Sequence, residues 1–386
     1  MDGAIVIDLM HFQHFSMDRS TWRATIGGGT LLGDVTKCLH DAGNRAMAHG
    51  ICPQVGIGGH ATIGGLGPTS RQWGSALDHV EEVEIVLADS TIVRASQTQH
   101  PDLFWALKGA GAGFGVITEF VVRTEPEPGT TVKYAYSFTL GTYKSMVNSF
   151  KDWQKFVSDP NLTRKFASEV ILTQAGMIIS GTYFGSKSDF DALGIEQRLF
   201  GHQKASVIVF DDWLGVVAHW AEEDALKLGG GISAEMMAKS LTFNTMNLIP
   251  DNVIEELFDY LDRAKKGTPL WFAIFDFQGG AVTDVAMDAT AYAHRDALFY
   301  LQSYAVDLGG LTETTKTFVR GINKVISTAM PSDAALGTYA GYVDPELANP
   351  QQSYWRSNLP RLEMIKRSVD PSDLFHNPQS VRPALG

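Results

Sequence analysis

Apolar positions along this chain recur at two periods, and the places where one gives way to the other mark its elements. Runs rich in β-branched and aromatic residues at 4–9, 21–26, 83–87, 91–95, 116–123, 170–173, 177–184 and 270–277 predict strands. Ala88-Asp89-Ser90 between two of them reads as a tight hairpin. Apolar spacing of three and four over 31–40 predicts a helix that carries Cys38 and is opened by Gly27-Gly28-Gly29-Thr30. His100-Pro101-Asp102 starts another, with proline in its first turn, that ends about Lys108. Residues 144–156, 252–264 and 288–296 also read as helices. Thr124-Glu125-Pro126-Glu127-Pro128-Gly129 is the clearest boundary, since its prolines and glycine suit a linker. Beyond it, from Thr131 to about Thr338, strands alternate with amphipathic helices, and no internal repeat appears.

A chain of 386 residues is long enough for two domains. With 44% hydrophobic and 19% charged residues it can bury a sizeable core. Its net charge of −12, with no basic stripe, argues against nucleic acid as a partner. No apolar run reaches the roughly eighteen residues of a membrane span. The N-terminus lacks the basic-then-apolar layout of a signal peptide, so an intracellular location is expected for the chain as written. Two cysteines, Cys38 and Cys52, make no disulfide framework, and Cys38 on its helix reads as a core residue.

The chemistry concentrates around Cys52. The segment Gly50-Ile51-Cys52-Pro53-Gln54-Val55-Gly56-Ile57-Gly58-Gly59-His60 runs into Ala61-Thr62-Ile63-Gly64-Gly65-Leu66-Gly67. Backbone this dense in glycine can lie flat against a large ligand. A thiol at its mouth suits a nucleophile, a metal ligand or a covalent tether; a small buried cysteine in a glycine turn is the plainer alternative. A second loop, Gly109-Ala110-Gly111-Ala112-Gly113-Phe114-Gly115, is no dinucleotide fingerprint, because its glycines alternate and it lies between a helix and a following strand. Asp276 sits in the middle of the apolar run 271–277, where an acid must be paired or functional. His11 and His14 have helical spacing but no third ligand nearby, so no metal site is expected. No G-x-S-x-G elbow supports a serine hydrolase.

Cys52 with its glycine loop, Asp102-Leu103-Phe104-Trp105-Ala106-Leu107-Lys108-Gly109, and Gly113-Phe114-Gly115-Val116-Ile117-Thr118-Glu119-Phe120 together resemble the berberine-bridge-enzyme-like branch of the vanillyl-alcohol-oxidase flavoproteins. The likeness runs from residue 1 to 386 and is strongest to fungal oligosaccharide oxidases and the FAD-linked oxidoreductases of fungal secondary metabolism. It implies an α+β fold: a PCMH-type FAD-binding domain beside a substrate domain whose antiparallel sheet is flanked by helices. The expected limits are 1–125 for the FAD-binding part, 126–345 for the substrate domain, and 346–386 for a segment returning to the flavin. The family's histidine attachment segment has no counterpart here, so the first FAD-binding subdomain is expected to be missing.

The resemblance also implies roles. Cys52 matches the cysteine that bonds to C6 of the flavin. Val55, Gly56, Gly58, Gly59, His60, Gly64, Gly65 and Gly67 are expected along the ring, with His60 either packed near it or satisfying a backbone carbonyl. Gly113, Gly115 and Ile117 are expected toward the adenosine end, and Asn377 and Gln379 in the returning segment. Tyr342, in Tyr339-Ala340-Gly341-Tyr342, matches the catalytic base, and Asp276 the carboxylate paired with it; Asp344 reads as a turn residue before Pro345. Glu169 and Ile171 fall at about the sugar-binding positions of the oligosaccharide oxidases, and Ile274 replaces a glutamine. Aliphatic groups leave sugar hydroxyls unpaired, so a less polar, aromatic or polyketide-like substrate is expected. The resulting expectation is an FAD-dependent oxidase of a hydroxyl-bearing small molecule, with molecular oxygen as final acceptor. Carbohydrate oxidation is the alternative within the enzymes, and a flavin-poor, non-redox binding protein the alternative of another class.

Overall fold

The structure, a computed structural model, describes residues 5–139, 141–199, 201–228, 235–307, 309–330 and 337–385, without the side chains of 223–228. Two antiparallel sheets organise it. The first contains β1 (Phe15–Asp18), β2 (Arg23–Gly27), β4 (Val80–Val86), β5 (Ile92–Ser96) and β6 (Val116–Arg123), in the order β1-β2-β6-β4-β5. A two-residue ribbon pairs β3 (Arg45–Ala46) with β7 (Glu125–Pro126). The second sheet contains β8 (Thr131–Phe138), β9 (Phe166–Thr173), β10 (Gly176–Phe184), β11 (Lys204–Phe210), β12 (Glu235–Phe243), β13 (Trp271–Phe277) and β14 (Phe299–Asp307). Its order is β11-β8-β10-β9-β13-β14-β12.

Each sheet has its own core. Around the first, Leu32, Val35 and Leu39 of the helix Leu32–Gly43 and Leu103, Phe104 and Leu107 of the helix Pro101–Ala110 bury against Ile26, Val83, Ile85 and Phe120. Tyr354, Trp355, Leu362 and Ile365 from the C-terminal segment join the same core. On the second sheet, residues of one parity (Val170, Leu172, Ala273, Phe275, Leu301) pack with the helices Val147–Val157, Asp251–Arg263 and Glu313–Ala329. The other parity faces the first domain, because successive strand residues point to opposite faces.

Most predicted elements form, and two do not. Residues 5–9 form no strand; Ile5 and Val6 are about nine-tenths exposed, and Ala4 lies outside the described residues. Residues 288–296 form no helix. Their backbone groups are satisfied by the first domain instead: Ala291 N–H donates to Trp105 O at 3.1 Å, Tyr292 N–H to Lys108 O at 3.0 Å, and Trp105 Nε1 to Asp288 O at 2.7 Å. The apolar spacing that suggested a helix arises because this segment is buried between the two domains, with Tyr292, Ala293, His294 and Arg295 all nearly inaccessible.

Lys366 closes the C-terminal segment onto the glycine turn before β6. Its ammonium donates to Gly113 O and Asp370 Oδ2, both at 2.6 Å, and to Phe375 O at 2.8 Å, with no side-chain exposure. Breaking a buried pair leaves an uncompensated charge, so Lys366→Met should cost about 3–5 kcal/mol. Lys366→Met combined with Asp370→Leu should recover part of that loss. Urea midpoints check this, and an unchanged midpoint in the single variant would remove the cluster from the stability argument.

Candidate active site

The inward face of the second sheet is one wall of a cavity of about 790 Å³. Alternation along β13 brings Ile274 and Asp276 to it, and β14 adds Gln302 and Tyr304. Asp276 lies directly opposite Glu169 on β9, and Ile274 opposite Gln302 on β14. Lys133 on β8 and Thr182 on β10 extend the wall, with Trp220 above them and Met236 at the rim. The facing wall is the glycine segment, contributing Ile51, Cys52, Val55, Gly56, Gly59, His60 and Gly67. Tyr339, Gly341 and Tyr342 close the third side.

Within the glycine segment the residues do different work. A Cβ on Gly56 or Gly59 would meet no atom within 4 Å, so their bare backbone fronts open space. Gly67 has no room for a side chain against His49 O, and Gly58 abuts Gly28 O. Gly64 and Gly65 adopt positive φ (144° and 79°), where only glycine is unstrained. They turn the chain under Tyr339, whose hydroxyl accepts the Gly65 N–H at 2.9 Å. Cys52 reaches the cavity with Sγ 3.5 Å from Gln54 Oε1. His60 satisfies a backbone N–H rather than a carbonyl: its Nε2 accepts from Gly50 at 2.8 Å, which steadies the stretch leading to Cys52.

Tyr342 belongs to a cluster of four tyrosines. Its ring meets Tyr339 edge-on at 5.1 Å and Tyr300 at 6.5 Å, while Tyr292 and Tyr300 share a hydrogen bond of 2.5 Å between hydroxyls. Burial pushes the Tyr342 phenol well above its ordinary value, and the negative charge of Asp276 pushes it further. Tyr342 therefore rests protonated. Asp276 Oδ2 accepts from Gln278 Nε2 at 2.7 Å, and Glu169 Oε1 from Ser180 Oγ at 3.0 Å.

Thus the structure gathers Cys52, Val55, Gly56, Gly59, His60, Gly67, Asp276 and Tyr342 around one cavity. It does not bring the others to that space. Gly58, Gly64 and Gly65 lie behind the cavity wall as close-packing and turn residues. Gly113 is tied to Lys366, Gly115 packs under Val86, and Ile117 sits in the ladder opposite Ile85. Gln379 is committed to Asp344 O at 2.7 Å and to the Tyr354 hydroxyl at 2.9 Å, and Asn377 Oδ1 accepts the Gln379 N–H. Asp344 is more than a turn residue: it is 1% exposed and pairs with Lys239 at 2.7 Å. His14 pairs with Glu119 at 2.8 Å, and no cluster among the described residues could hold a metal. Lys133, Gln302, Tyr304 and Trp220 escaped the sequence reading. Even once Asp276 is placed inward, only the ladder register, through β14 and β8, connects Gln302, Tyr304 and Lys133 to it.

The cavity volume lies in the range of small-molecule and cofactor sites. The glycine segment is helical over Ile57–Ile63, and the space where Cβ atoms would stand at Gly56 and Gly59 leaves bare backbone that fits a planar aromatic ring system such as a flavin. Comparison with known proteins agrees. Residues 1–96 match the FAD binding domain model and residues 338–382 the model "Berberine and berberine like". The FAD-linked oxidoreductase sorD of Penicillium rubens is 40% identical over 99% of this chain and 81% of its own length. The chain belongs to the berberine-bridge-like FAD-linked oxidoreductases. As in that family, it is an FAD-dependent enzyme. The solved glucooligosaccharide oxidase of Acremonium strictum, described with a 6-S-cysteinyl, 8α-N1-histidyl FAD, has a TM-score of 0.88 at 31% identity, covering 98% of this chain and 82% of that one. The xylooligosaccharide oxidase of Myceliophthora thermophila, solved with xylobiose, has a TM-score of 0.87 at 29% identity, covering 98% and 82%.

Three buried histidines, His49, His79 and His294, together with the half-buried His60, make the fold sensitive to acid. Desolvation holds His49 below its ordinary range and brings His60, His79 and His294 down to about 3. His79 Nε2 accepts the Ala48 N–H at 3.2 Å and its Nδ1 contacts Arg123 O at 3.1 Å, so its neutral form is the one the fold uses. The unfolded chain takes up these protons near pH 6.5 and the folded chain does not. Their contribution to stability is full above that pH and is lost progressively as pH falls toward 3. Urea midpoints should decline from about pH 6.5 downward, with a shallower slope in His79→Gln, which keeps a donor and an acceptor. A flat profile between about pH 6.5 and 5 would contradict this.

Proposed function

We propose that this protein oxidises a hydroxyl-bearing small molecule less polar than an oligosaccharide. Tyr342 and Asp276 manage the proton, and molecular oxygen is the final acceptor. The observation that carries the reading is that Tyr342 and Asp276 face the Cys52–Gly67 wall across one cavity. When bound there, FAD supplies the redox chemistry by accepting a hydride from the substrate carbon. Gly56, Gly59 and Val55 would lie along it, with Cys52 as covalent attachment. Tyr342, protonated at rest, cannot act as a base alone. It can take the substrate's hydroxyl proton only as its own proton passes to Asp276, which leaves no phenolate in the apolar pocket. Ile274, Trp220, Tyr304 and Phe277 favour an apolar or aromatic substrate body. A second reading, oligosaccharide oxidation, draws on Glu169, Gln302 and Lys133, which offer hydrogen bonds on the same wall.

A panel of benzylic alcohols and phenolic polyketide alcohols, run beside xylobiose and cellobiose with peroxide as readout, separates the two readings. Faster turnover of the disaccharides would overturn the first. With whichever substrate turns over best, Tyr342→Phe should slow flavin reduction by roughly 10²–10⁴-fold while leaving flavin content unchanged. Asp276→Asn should act in the same direction and be non-additive with it, because the two move one proton. Wild-type reduction in Tyr342→Phe would remove that residue from the mechanism.

Attachment is checked separately. Acid precipitation should leave flavin in the pellet, on a peptide containing Cys52. Cys52→Ala should release it to the supernatant. Flavin retained in the pellet by Cys52→Ala would place the bond elsewhere.

A further inference from the structure

Gln278 lies one residue past β13, two beyond Asp276, and the proposed reaction gives it no part. Its side chain is 2% exposed. Both its backbone groups are fixed: the N–H donates to Leu298 O at 2.6 Å, and the carbonyl accepts Arg71 Nη1 at 2.5 Å. Arg71 reaches there from the FAD-binding domain, just beyond the glycine segment. It is 5% exposed, donates from Nε to Phe166 O at 2.8 Å, and lies 3.8 Å from the Phe277 ring centroid. One guanidinium thus grips the start of β9 and the end of β13, the two strands that carry Glu169 and Asp276.

The orientation of the Gln278 amide is dictated by its neighbour. Its Nε2 stands 2.7 Å from Asp276 Oδ2. With the amide turned over, Oε1 would face a carboxylate oxygen at that distance, acceptor against acceptor. In the orientation it keeps, Oε1 has no partner among the described residues. A buried acceptor left unmatched is destabilising, and such groups call for an explanation. A leucine here would bring no such cost, so stability alone does not account for the amide.

We propose that Gln278 is a positioning residue for proton transfer: its amide holds the Asp276 carboxylate ionised and fixed beside Tyr342, and Arg71 anchors the backbone that presents it. The inference rests on the reading of Asp276 as acceptor of the Tyr342 proton. Other titratable or charged groups face Asp276. Glu169 lies opposite on β9, Tyr300 opposite on β14, Tyr339 and Tyr342 stand on the third wall, His60 is across the cavity, and Lys133 is farther along the sheet on β8. Whatever their summed field, removing a donor from an ionised carboxylate disfavours that form, so the Asp276 pKa must rise.

Infrared difference spectroscopy on the purified holoenzyme can titrate Asp276 directly, its band being identified by loss in Asp276→Asn. In Gln278→Leu the titration should move up by about one unit, and the acidic limb of kcat should move with it. With the alcohol or disaccharide that turns over fastest, kcat should fall about 10- to 100-fold, the worth of one hydrogen bond to a charged group, with KM little changed. The melting temperature should hold or rise. Gln278→Glu, of the same shape, should move the titration upward further, and serves if the leucine variant does not fold. Arg71→Met should lower kcat non-additively with Gln278→Leu. A lower melting temperature with an unmoved titration would reduce Gln278 to a structural residue and overturn the inference. A wild-type rate in Asp276→Asn would instead overturn the reading of Asp276, and this inference with it. Loss of rate in Asp276→Asn beside an unmoved Gln278→Leu titration would overturn the inference alone.

Discussion

The bidentate pair between Arg295 and Asp78 fixes how the two sheets face each other. Arg295 Nη1 and Nη2 donate to the two Asp78 oxygens at 2.9 and 2.8 Å, with side-chain exposures of 1% and 8%. Burial works against ionising Asp78, yet Arg295 and the Ser75 cap hold its carboxyl below the ordinary range. A pair this dry is costly to form and costlier to break, so it is weak evidence for stability. Its geometry is specific, because two parallel N–H···O bonds permit one orientation. Asp78 caps the short helix Ala76–His79 just after the glycine segment, and Arg295 ends the buried strap that leads into β14. The width of the cavity between the glycine wall and the sheet follows from this joint.

A further contact holds the same seam in another direction. Arg71 reaches across it to the ends of β9 and β13. Within the first domain, Trp355 Nε1 donates to Gly109 O at 3.0 Å, tying the C-terminal segment to the kink inside the helix Pro101–Ala110. Two small apolar clusters also cross the seam, Leu66 and Leu77 with Tyr292, Tyr300 and Tyr339, and Ala46 with Ala167, Phe184, Trp213 and Trp220. Burial holds the domains together there, and the polar contacts of defined direction add orientation.

Much of this was legible in the sequence, and the reasons differ by feature. Strands β9, β10 and β13 and the helices over them show through their periods, because each buries one face in one core. Cys52 and Asp276 show through residue types that sit poorly with their surroundings, a thiol in glycine and an acid in an apolar strand; Tyr342 shows only through the family resemblance. The strap at 288–296 was misread because burial between domains gives apolar spacing without helical hydrogen bonds. Glycines at 58, 64 and 65 share one run with 56 and 59, and only coordinates separate those that front open space from those that fill a turn. Lys133 and Gln302 are invisible for another reason: strand register, which no local pattern encodes, decides what stands beside Asp276.

In the proposed reaction, that register also bears on why the proton acceptor is built from two residues. A tyrosine alone, raised by burial, would hold its proton too tightly to accept another. A carboxylate alone on this sheet would stand beside Glu169 with no fixed line to a hydroxyl across the cavity. Joined, they divide the task. The phenol supplies reach and a neutral resting state in an apolar pocket, and the carboxylate supplies the basicity. Charge stays on the sheet wall, where Gln278 donates to it. The open space before Gly56 and Gly59 is then bordered by an uncharged hydroxyl. Under the proposed function, a substrate hydroxyl at Tyr342 would meet an uncharged phenol there, while the ionised groups stay on the sheet wall.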